Sequence, residues 1–227
     1  MIKLIGLLGI KGAGKDTAAA YLVSQAGFTR TSFASSLYAE VALAFGVSVE
    51  FLLNRDTKEK PLEALKLSRC KDRDFVAIAL AIISVETGGL PDTSELEKPR
   101  SPRWVLQIWG TEYRRRSRFG YDSYWLDQVA ALVQNHPDSR FVITDVRFSN
   151  EADWVEGAGG ILIRIRRPVL EAEEESARKA GTVTALHPSE TELRARKVAY
   201  TLINQEGSPD SLIEGFTEVF PDLIRAA

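Results

Sequence analysis

The chain has 227 residues, 44% of them apolar, and a formal net charge of −2. That length suits one large domain or a domain with insertions, and the near-neutral balance excludes a global attraction to nucleic acid or to an anionic membrane. Cys70 is the single cysteine, and His136 and His187 are the two histidines. This excludes an intrachain disulfide and a cysteine- or histidine-rich metal centre, and fits a reducing, cytoplasmic setting.

Residues 2–8 form an apolar run that predicts a strand. With the chain opening directly into it, no signal peptide is expected, and no apolar run approaches the ~20 residues a membrane span requires. The strand feeds Gly9-Ile10-Lys11-Gly12-Ala13-Gly14-Lys15-Asp16-Thr17, the layout of a phosphate-binding loop. Glycines let the backbone curl so that successive N–H groups face one concavity. Lys15 adds a point charge suited to β- and γ-phosphates. A helix predicted over 15–26 turns its positive N-terminus toward the same anion. Gly9, Lys11, Gly12, Ala13, Gly14, Lys15, Asp16 and Thr17 are therefore the candidate site for a nucleoside triphosphate, with ATP as donor. The usual pattern places Ser or Thr after the lysine as a magnesium ligand. Asp16 fills that slot, and either holds the ion directly or through water, or is only an acidic residue in a first helical turn.

A second strand is predicted over 28–33 and a helix over 34–46. More than a hundred residues then precede the next strand, so a helical insertion is expected. Its 56–71 segment is heavily charged. Residues 74–87 read as a helix whose 75–85 stretch is apolar nearly all round, which suits a buried helix or a subunit interface. Residues 86–102 read as a loop. The helix predicted over 102–118 sets Gln107, Thr111, Arg114 and Arg118 on one face and Val105, Ile108 and Trp109 on another. Amide, hydroxyl and guanidinium in one stripe suit a nucleotide, since arginine's fork matches phosphate oxygens. A solvated basic face and a nucleic-acid patch are the alternatives. A further helix is predicted over 123–135.

The third strand, 139–145, ends in Thr144-Asp145-Val146-Arg147. Sites in doubly wound sheets form at the carboxyl ends of strands, so Asp145 is expected beside the phosphate loop, supporting magnesium. The alternative is a cap for the helix predicted over 148–156, a role Ser149 or Asn150 can also fill. The fourth strand, 160–165, leads into Arg164, Arg166, Arg167 and a polar segment that reads as a lid over about 166–188. At least one of these arginines is expected to meet the transferring phosphoryl group. His187 and Glu190 are candidates to touch substrate when the lid folds over. Ser189 and Glu192 form a capping box for a helix over 189–196. A fifth strand, 198–203, stops at Asn204, whose turn either lies beside the adenine or is an ordinary connection. Ser208 caps a last helix over 208–220. The alternation as a whole predicts an α/β fold: one domain over 1–227, a doubly wound parallel sheet of about five strands, an insert over about 34–135, and the lid.

Several of these motifs together resemble one family. Gly9–Thr17, Gln107-x-x-Gly110-Thr111-Glu112 with Arg114 and Arg115, Thr144-Asp145-Val146-Arg147-Phe148-x-Asn150-Glu151, Arg167-Pro168 and His187-x-Ser189-Glu190 are similar to the deoxynucleoside monophosphate kinases of bacteriophages. Phosphate loops of that family often carry Gly-Lys-Asp-Thr, so Asp16 fits the resemblance. It implies magnesium-dependent transfer of the ATP γ-phosphate to a deoxynucleoside monophosphate, on a core with a monophosphate-binding insert and a lid. Lys15 and the 9–15 backbone would hold the donor, and Asp16, Thr17 and Asp145 would arrange the metal. Arg114 and Arg147 would grip the acceptor phosphate, and Arg166 or Arg167 would close over the transferring group. A homodimer is a possible partner state, and a phage-encoded enzyme would act in the host cytoplasm. An aromatic among Tyr113, Tyr121, Tyr124 and Trp125 is the expected source of deoxyribose preference. The rivals are another small-molecule P-loop kinase, such as a dephospho-coenzyme A kinase, and a nucleic-acid-binding ATPase that uses 114–118. A GTPase switch would need an Asn-Lys-x-Asp motif, which is absent.

Overall fold

The computed structural model describes residues 2–90, 92–116, 121–180, 192–205 and 208–221. The chain groups into two compact units, Met1–Phe33 with Val129–Ala227, and Ala34–Gln128.

The first unit carries the sheet. All five expected strands are present: β1 (Leu4–Leu8), β2 (Phe28–Thr31), β3 (Arg140–Ile143), β4 (Ile161–Arg166) and β5 (Tyr200–Ile203). They lie in the order β2-β3-β1-β4-β5, every pair parallel. β1 is central and wholly buried, because both of its faces are covered. Ile5 and Leu7 pack with Ala18, Ala19 and Leu22 of α1 (Lys15–Ala26) and with Leu212 and Phe216 of a C-terminal helix (Pro209–Val219). Gly6 faces the other way, toward Val155 of a helix at Ser149–Gly157, where an added Cβ would meet Leu162 at 2.8 Å and Val155 at 3.4 Å. Each fully buried aliphatic side chain contributes about 1.5–3 kcal/mol. The chain builds outward to β2, returns to β3 beside β1, then crosses to β4 on β1's other edge. The carboxyl ends of β1, β3 and β4 therefore mark the point where the winding reverses, and the sequence motifs converge there.

The second unit is helical. It is built on α2 (Phe33–Phe45), α3 (Val49–Leu53), α4 (Arg73–Thr87), α5 (Pro102–Gln107) and the start of α6 (Tyr124–Asn135). In α4, Asp72 accepts the Phe75 N–H at 2.9 Å as the N-cap. Phe75, Val76, Ala79 and Ile83 are buried, while Ala77, Ala81 and Val85 are exposed. This apolar helix thus buries one side in its own unit and leaves small residues on the other.

The helix expected over 102–118 changes character after Gln107. Residues Ile108–Tyr113 form a π-helical turn, in which the Arg114 N–H reaches back five residues to the Trp109 carbonyl at 3.0 Å. That N–H would ordinarily serve Gly110. The Gly110 carbonyl instead accepts the buried indole N–H of Trp125 at 2.9 Å. Gly110 also admits Leu37, which would lie 3.1 Å from an added Cβ. The extra residue in the turn breaks the expected stripe. Gln107 is exposed, Thr111 is half-buried, Arg114 lies over the Trp109 ring, and Arg118 falls outside the described residues.

Two other expectations change along the chain. Part of the segment read as a polar lid is a helix at Pro168–Lys179, the eighth α-helix (α8) when Ser149–Gly157 is α7; the C-terminal helix is then α9. Pro168 starts α8 with Glu171 in its first turn, and Arg178 and Lys179 stand in its last turn, as the helix dipole favours. Glu175 pairs with both of those cations, at 2.9 and 3.3 Å, so a run without an apolar stripe still forms a helix. Of the helix expected over 189–196, residues 192–195 form turns, and the rest of its start is outside the described residues.

Trp125→Phe tests the π turn. It keeps the ring in the core but leaves the Gly110 carbonyl without its donor, and is expected to lower unfolding free energy in urea by about 1–3 kcal/mol.

Candidate active site

The loop between β1 and α1 has the form its glycines call for. Gly9 (φ +148°) runs so close to β4 that an added Cβ would lie 2.4 Å from the Ile165 carbonyl oxygen. Gly14 (φ +109°) ends the loop, and an added Cβ there would lie 2.5 Å from Asn204 Nδ2. Only glycine meets both demands. The Ala13 N–H closes a turn on the Ile10 carbonyl at 3.2 Å, and the Ala18 N–H opens α1 on the Gly14 carbonyl at 2.9 Å.

Asn204 sits beneath this loop, 3% exposed. Its Nδ2 donates to the Ala13 carbonyl at 2.8 Å, and its backbone N–H donates to the Arg166 carbonyl at 2.7 Å. Among the described residues its Oδ1 is buried without a partner. The turn after β5 therefore braces the phosphate loop from below.

Lys15 bends back and donates to the Gly9 and Ile10 carbonyls at 2.7 and 2.9 Å. Burial, then the neighbouring Arg147, lower its pKa to about 8 against the opposing pull of Asp16 and Asp145. These four charged groups thus share one locality. Asp16 pairs with Arg30 of β2, a partner nothing in the sequence motifs indicated. Asp145, two residues past the end of β3, accepts the Phe33 N–H at 2.8 Å and so caps the start of α2. Glu151, 2% exposed, accepts the Arg147 and Phe148 N–H groups at 2.9 and 3.2 Å and closes the start of α7. That is the capping role for which the sequence offers Asp145, Ser149 or Asn150, and Asp145 instead serves the Phe33 N–H. It leaves the exposed Arg147 side chain projecting from a fixed backbone.

The three arginines after β4 diverge. Arg164 donates to the Leu193, Arg194 and Arg196 carbonyls at 2.7–2.8 Å and anchors that segment of chain. Arg166 grips Glu171 of α8, with contacts at 2.5 and 3.0 Å. Arg167 reaches the Gly12 carbonyl at 3.4 Å, and among the described residues its Nε is buried without a partner. Leu170, three residues on, stands 3.1 Å from where a Gly12 Cβ would be, so the start of α8 borders the phosphate loop. His187 and Glu190 lie outside the described residues.

The second unit contains a charged cluster of its own. Glu40 of α2 accepts Trp109 Nε1 at 2.8 Å and Arg114 Nε at 2.7 Å on one oxygen, and the Tyr124 hydroxyl at 2.6 Å on the other. The Arg114 guanidinium lies over the rings of Tyr113 at 4.5 Å and Tyr124 at 5.0 Å. Burial opposes its charge, but Glu40 outweighs that and holds its pKa above the ordinary value. Burial, then the bond to Glu40, push Tyr124 up to about 12. Motif reading passed over Glu40. The available signal was a single charge in an otherwise uncharged α2.

A glycine loop of this form, opening from the central strand of a parallel sheet onto a helix N-terminus with its lysine in place, defines a P-loop architecture. No family model matches the chain. A protein of Acanthamoeba polyphaga mimivirus, provisionally named a deoxynucleotide monophosphate kinase, is 31% identical over 212 residues, spanning 86% of this chain and 83% of that protein. The deoxynucleoside-5′-monophosphate kinase of Escherichia phage T5 is 27% identical, spanning 90% of each. A sugar kinase of Janibacter sp. HTCC2649 superposes with a TM-score of 0.40 at 12% identity over 98% of each chain, too distant to compare sites. The chain belongs to the deoxynucleotide monophosphate kinases.

Gly14→Ala forces an alanine to φ +109° against Asn204. It is expected to cost about 1–3 kcal/mol of stability, read as a lowered urea midpoint.

Proposed function

We propose that this chain transfers the γ-phosphate of ATP to deoxynucleoside 5′-monophosphates, releasing ADP and the deoxynucleoside diphosphate. The observation that carries this reading is the phosphate loop with Lys15 and Arg147 gathered beside it, in a chain of this family. The backbone N–H groups of 9–15 cradle the donor phosphates. Lys15 exchanges the Gly9 and Ile10 carbonyls for phosphate oxygens. The nucleophile is an oxygen of the acceptor phosphate, already ionised near neutral pH, so no general base is required. Catalysis is then positioning and charge neutralisation.

Arg147 and Arg114 bind the acceptor phosphate in this scheme. Arg167, beside the Gly12 carbonyl and with a donor to spare, is better placed than Arg166 for charge on the transferring group. Arg166 must first leave Glu171. Magnesium takes oxygen ligands, and is commonly held by one or two carboxylates, substrate phosphates and water. Asp16 and Asp145 both act on Lys15 electrostatically, so two carboxylates stand near the loop, and with Thr17 they form a fitting set once Asp16 releases Arg30. Among the described residues there is no cluster of three or more His, Cys, Asp or Glu, and this mode of binding needs none. The bound ion would neutralise β- and γ-phosphate charge. Tyr113 and Trp125 are 3% exposed each, which leaves Tyr121 and Tyr124 as the aromatics for deoxyribose preference.

An ADP-release assay with ATP and every ribo- and deoxyribonucleoside monophosphate tests the reading. ADP release should depend on a deoxynucleotide acceptor, and release that ignores the acceptor refutes it. Lys15→Met should lower kcat by about 10²–10³-fold while the thermal unfolding midpoint stays near that of the parent.

The lowered pKa of Lys15 gives a pH dependence with a definite sign. A polyphosphate stabilises the ammonium, so binding raises the pKa from about 8 and takes up a proton near and above that pH. Through this group, ATP affinity should be flat from about neutral pH to about pH 8 and fall as pH rises through about 8. Calorimetry in two buffers of different ionisation enthalpy should show proton uptake at pH 8.5, and no uptake in Lys15→Met.

A further inference from the structure

We propose that Glu40 is a positioning residue that holds Arg114 ready for a phosphate dianion. This rests on the reading of Arg114 as an acceptor-phosphate ligand, and it identifies what orients that ligand.

An arginine and a carboxylate left to themselves pair side by side, two N–H groups on two oxygens. Such a pair uses up the edge of the guanidinium that a phosphate would otherwise take. Glu40 does not pair this way. Its Oε1 is taken by the Tyr124 hydroxyl at 2.6 Å, and its Oε2 is shared between Trp109 Nε1 at 2.8 Å and Arg114 Nε at 2.7 Å. Arg114 is thereby held through Nε alone. Among the described residues, neither terminal nitrogen of Arg114 has a hydrogen-bond partner, and the edge between them is the one that matches two phosphate oxygens.

The plane of the group is set as well. The rings of Tyr113 and Tyr124 flank it at 4.5 and 5.0 Å, with Trp109 at 5.8 Å. Each ring is fixed in turn. Tyr113 donates to Asp72 at 2.9 Å, Trp109 is 1% exposed, and Tyr124 is tied to Glu40. The π turn completes the arrangement, since it carries Trp109 and Arg114, five residues apart, onto the same carboxylate oxygen.

A purely structural ion pair would show itself in stability and move both substrates' constants alike. A positioning role shows in the acceptor alone. The test measures KM for ATP and for a deoxynucleoside monophosphate in Glu40→Gln, Arg114→Ala and the double variant. Glu40→Gln has one acceptor oxygen where three donors converge, so Arg114 loses its fixed orientation. The acceptor KM should rise about tenfold with the ATP KM within twofold, and the rise should vanish when Arg114 is already alanine. Equal changes in both KM values, an unchanged acceptor KM, or the same Glu40→Gln effect with and without Arg114 each overturn the inference. An Arg114→Ala variant with an unchanged acceptor KM removes the reading of Arg114 itself, and the inference with it. If Glu40→Gln does not fold, Tyr124→Phe frees Oε1 for side-by-side pairing. It should then raise the acceptor KM several-fold with the ATP KM unchanged, and the rise should vanish in the Arg114→Ala background; an unchanged acceptor KM, or a rise that persists without Arg114, overturns the inference.

Discussion

The anion-binding loop keeps its shape because two places on it tolerate no side chain. At Gly9 the backbone lies against the Ile165 carbonyl of β4, and at Gly14 it lies against the Asn204 amide just past β5. The loop that leaves β1 is therefore moulded by the two strands that follow the winding reversal. Asn204 joins these constraints, taking the Ala13 carbonyl with its side chain and the Arg166 carbonyl with its backbone. A buried acceptor without a donor is costly, and Asn204 Oδ1 is in that position among the described residues. An aspartate would lack the N–H that the Ala13 carbonyl needs, and a leucine would lack both polar atoms, so the unpartnered oxygen comes with the only short side chain that supplies the donor.

The inner strands β1, β3 and β4 were legible because they are largely buried on both faces, which makes them nearly continuous apolar runs between polar turns, whereas the edge strands β2 and β5 are half exposed and carry polar residues. Helix α1 was placed by the phosphate loop that precedes it, and the structure bounds it with Gly14 and Gly27, both at positive φ. Helix α8 was missed because it has no apolar stripe, and its charges read equally well as loop or helix until Glu175 is seen beside Arg178 and Lys179. The π turn escaped for a different reason. A periodic reading assumes an equal rotation per residue, and one diverted N–H at Arg114 breaks that assumption for everything beyond it.

The candidate site was legible by residue type but not by pairing. Lys15, Asp145, Arg147 and Arg114 were all singled out, since cations and carboxylates at strand ends or in a helical stripe are recognisable locally. Their partners are not local. Arg114 meets Glu40 from 74 residues away, Asp145 meets the Phe33 N–H across 112, and Asp16 meets Arg30 on a different strand. Sequence separation of that size is set by topology, and nothing in a motif encodes it.

Those partners sort the charged groups into two kinds. Arg30 with Asp16 and Arg166 with Glu171 are exposed pairs, with side-chain exposures of 48% and 70% in the first and 47% and 29% in the second. Exposed pairs are worth about 0–1 kcal/mol, so an incoming polyphosphate or metal can displace them readily. Arg114 with Glu40 is 19% and 23% exposed, and it shares its carboxylate with an indole and a phenol. Withdrawing one member would strand a charge in a half-buried cluster, at a cost well above that of a surface pair. The first kind can rearrange as substrates arrive and leave. The second resists rearrangement, which suits the positioning role proposed for Glu40.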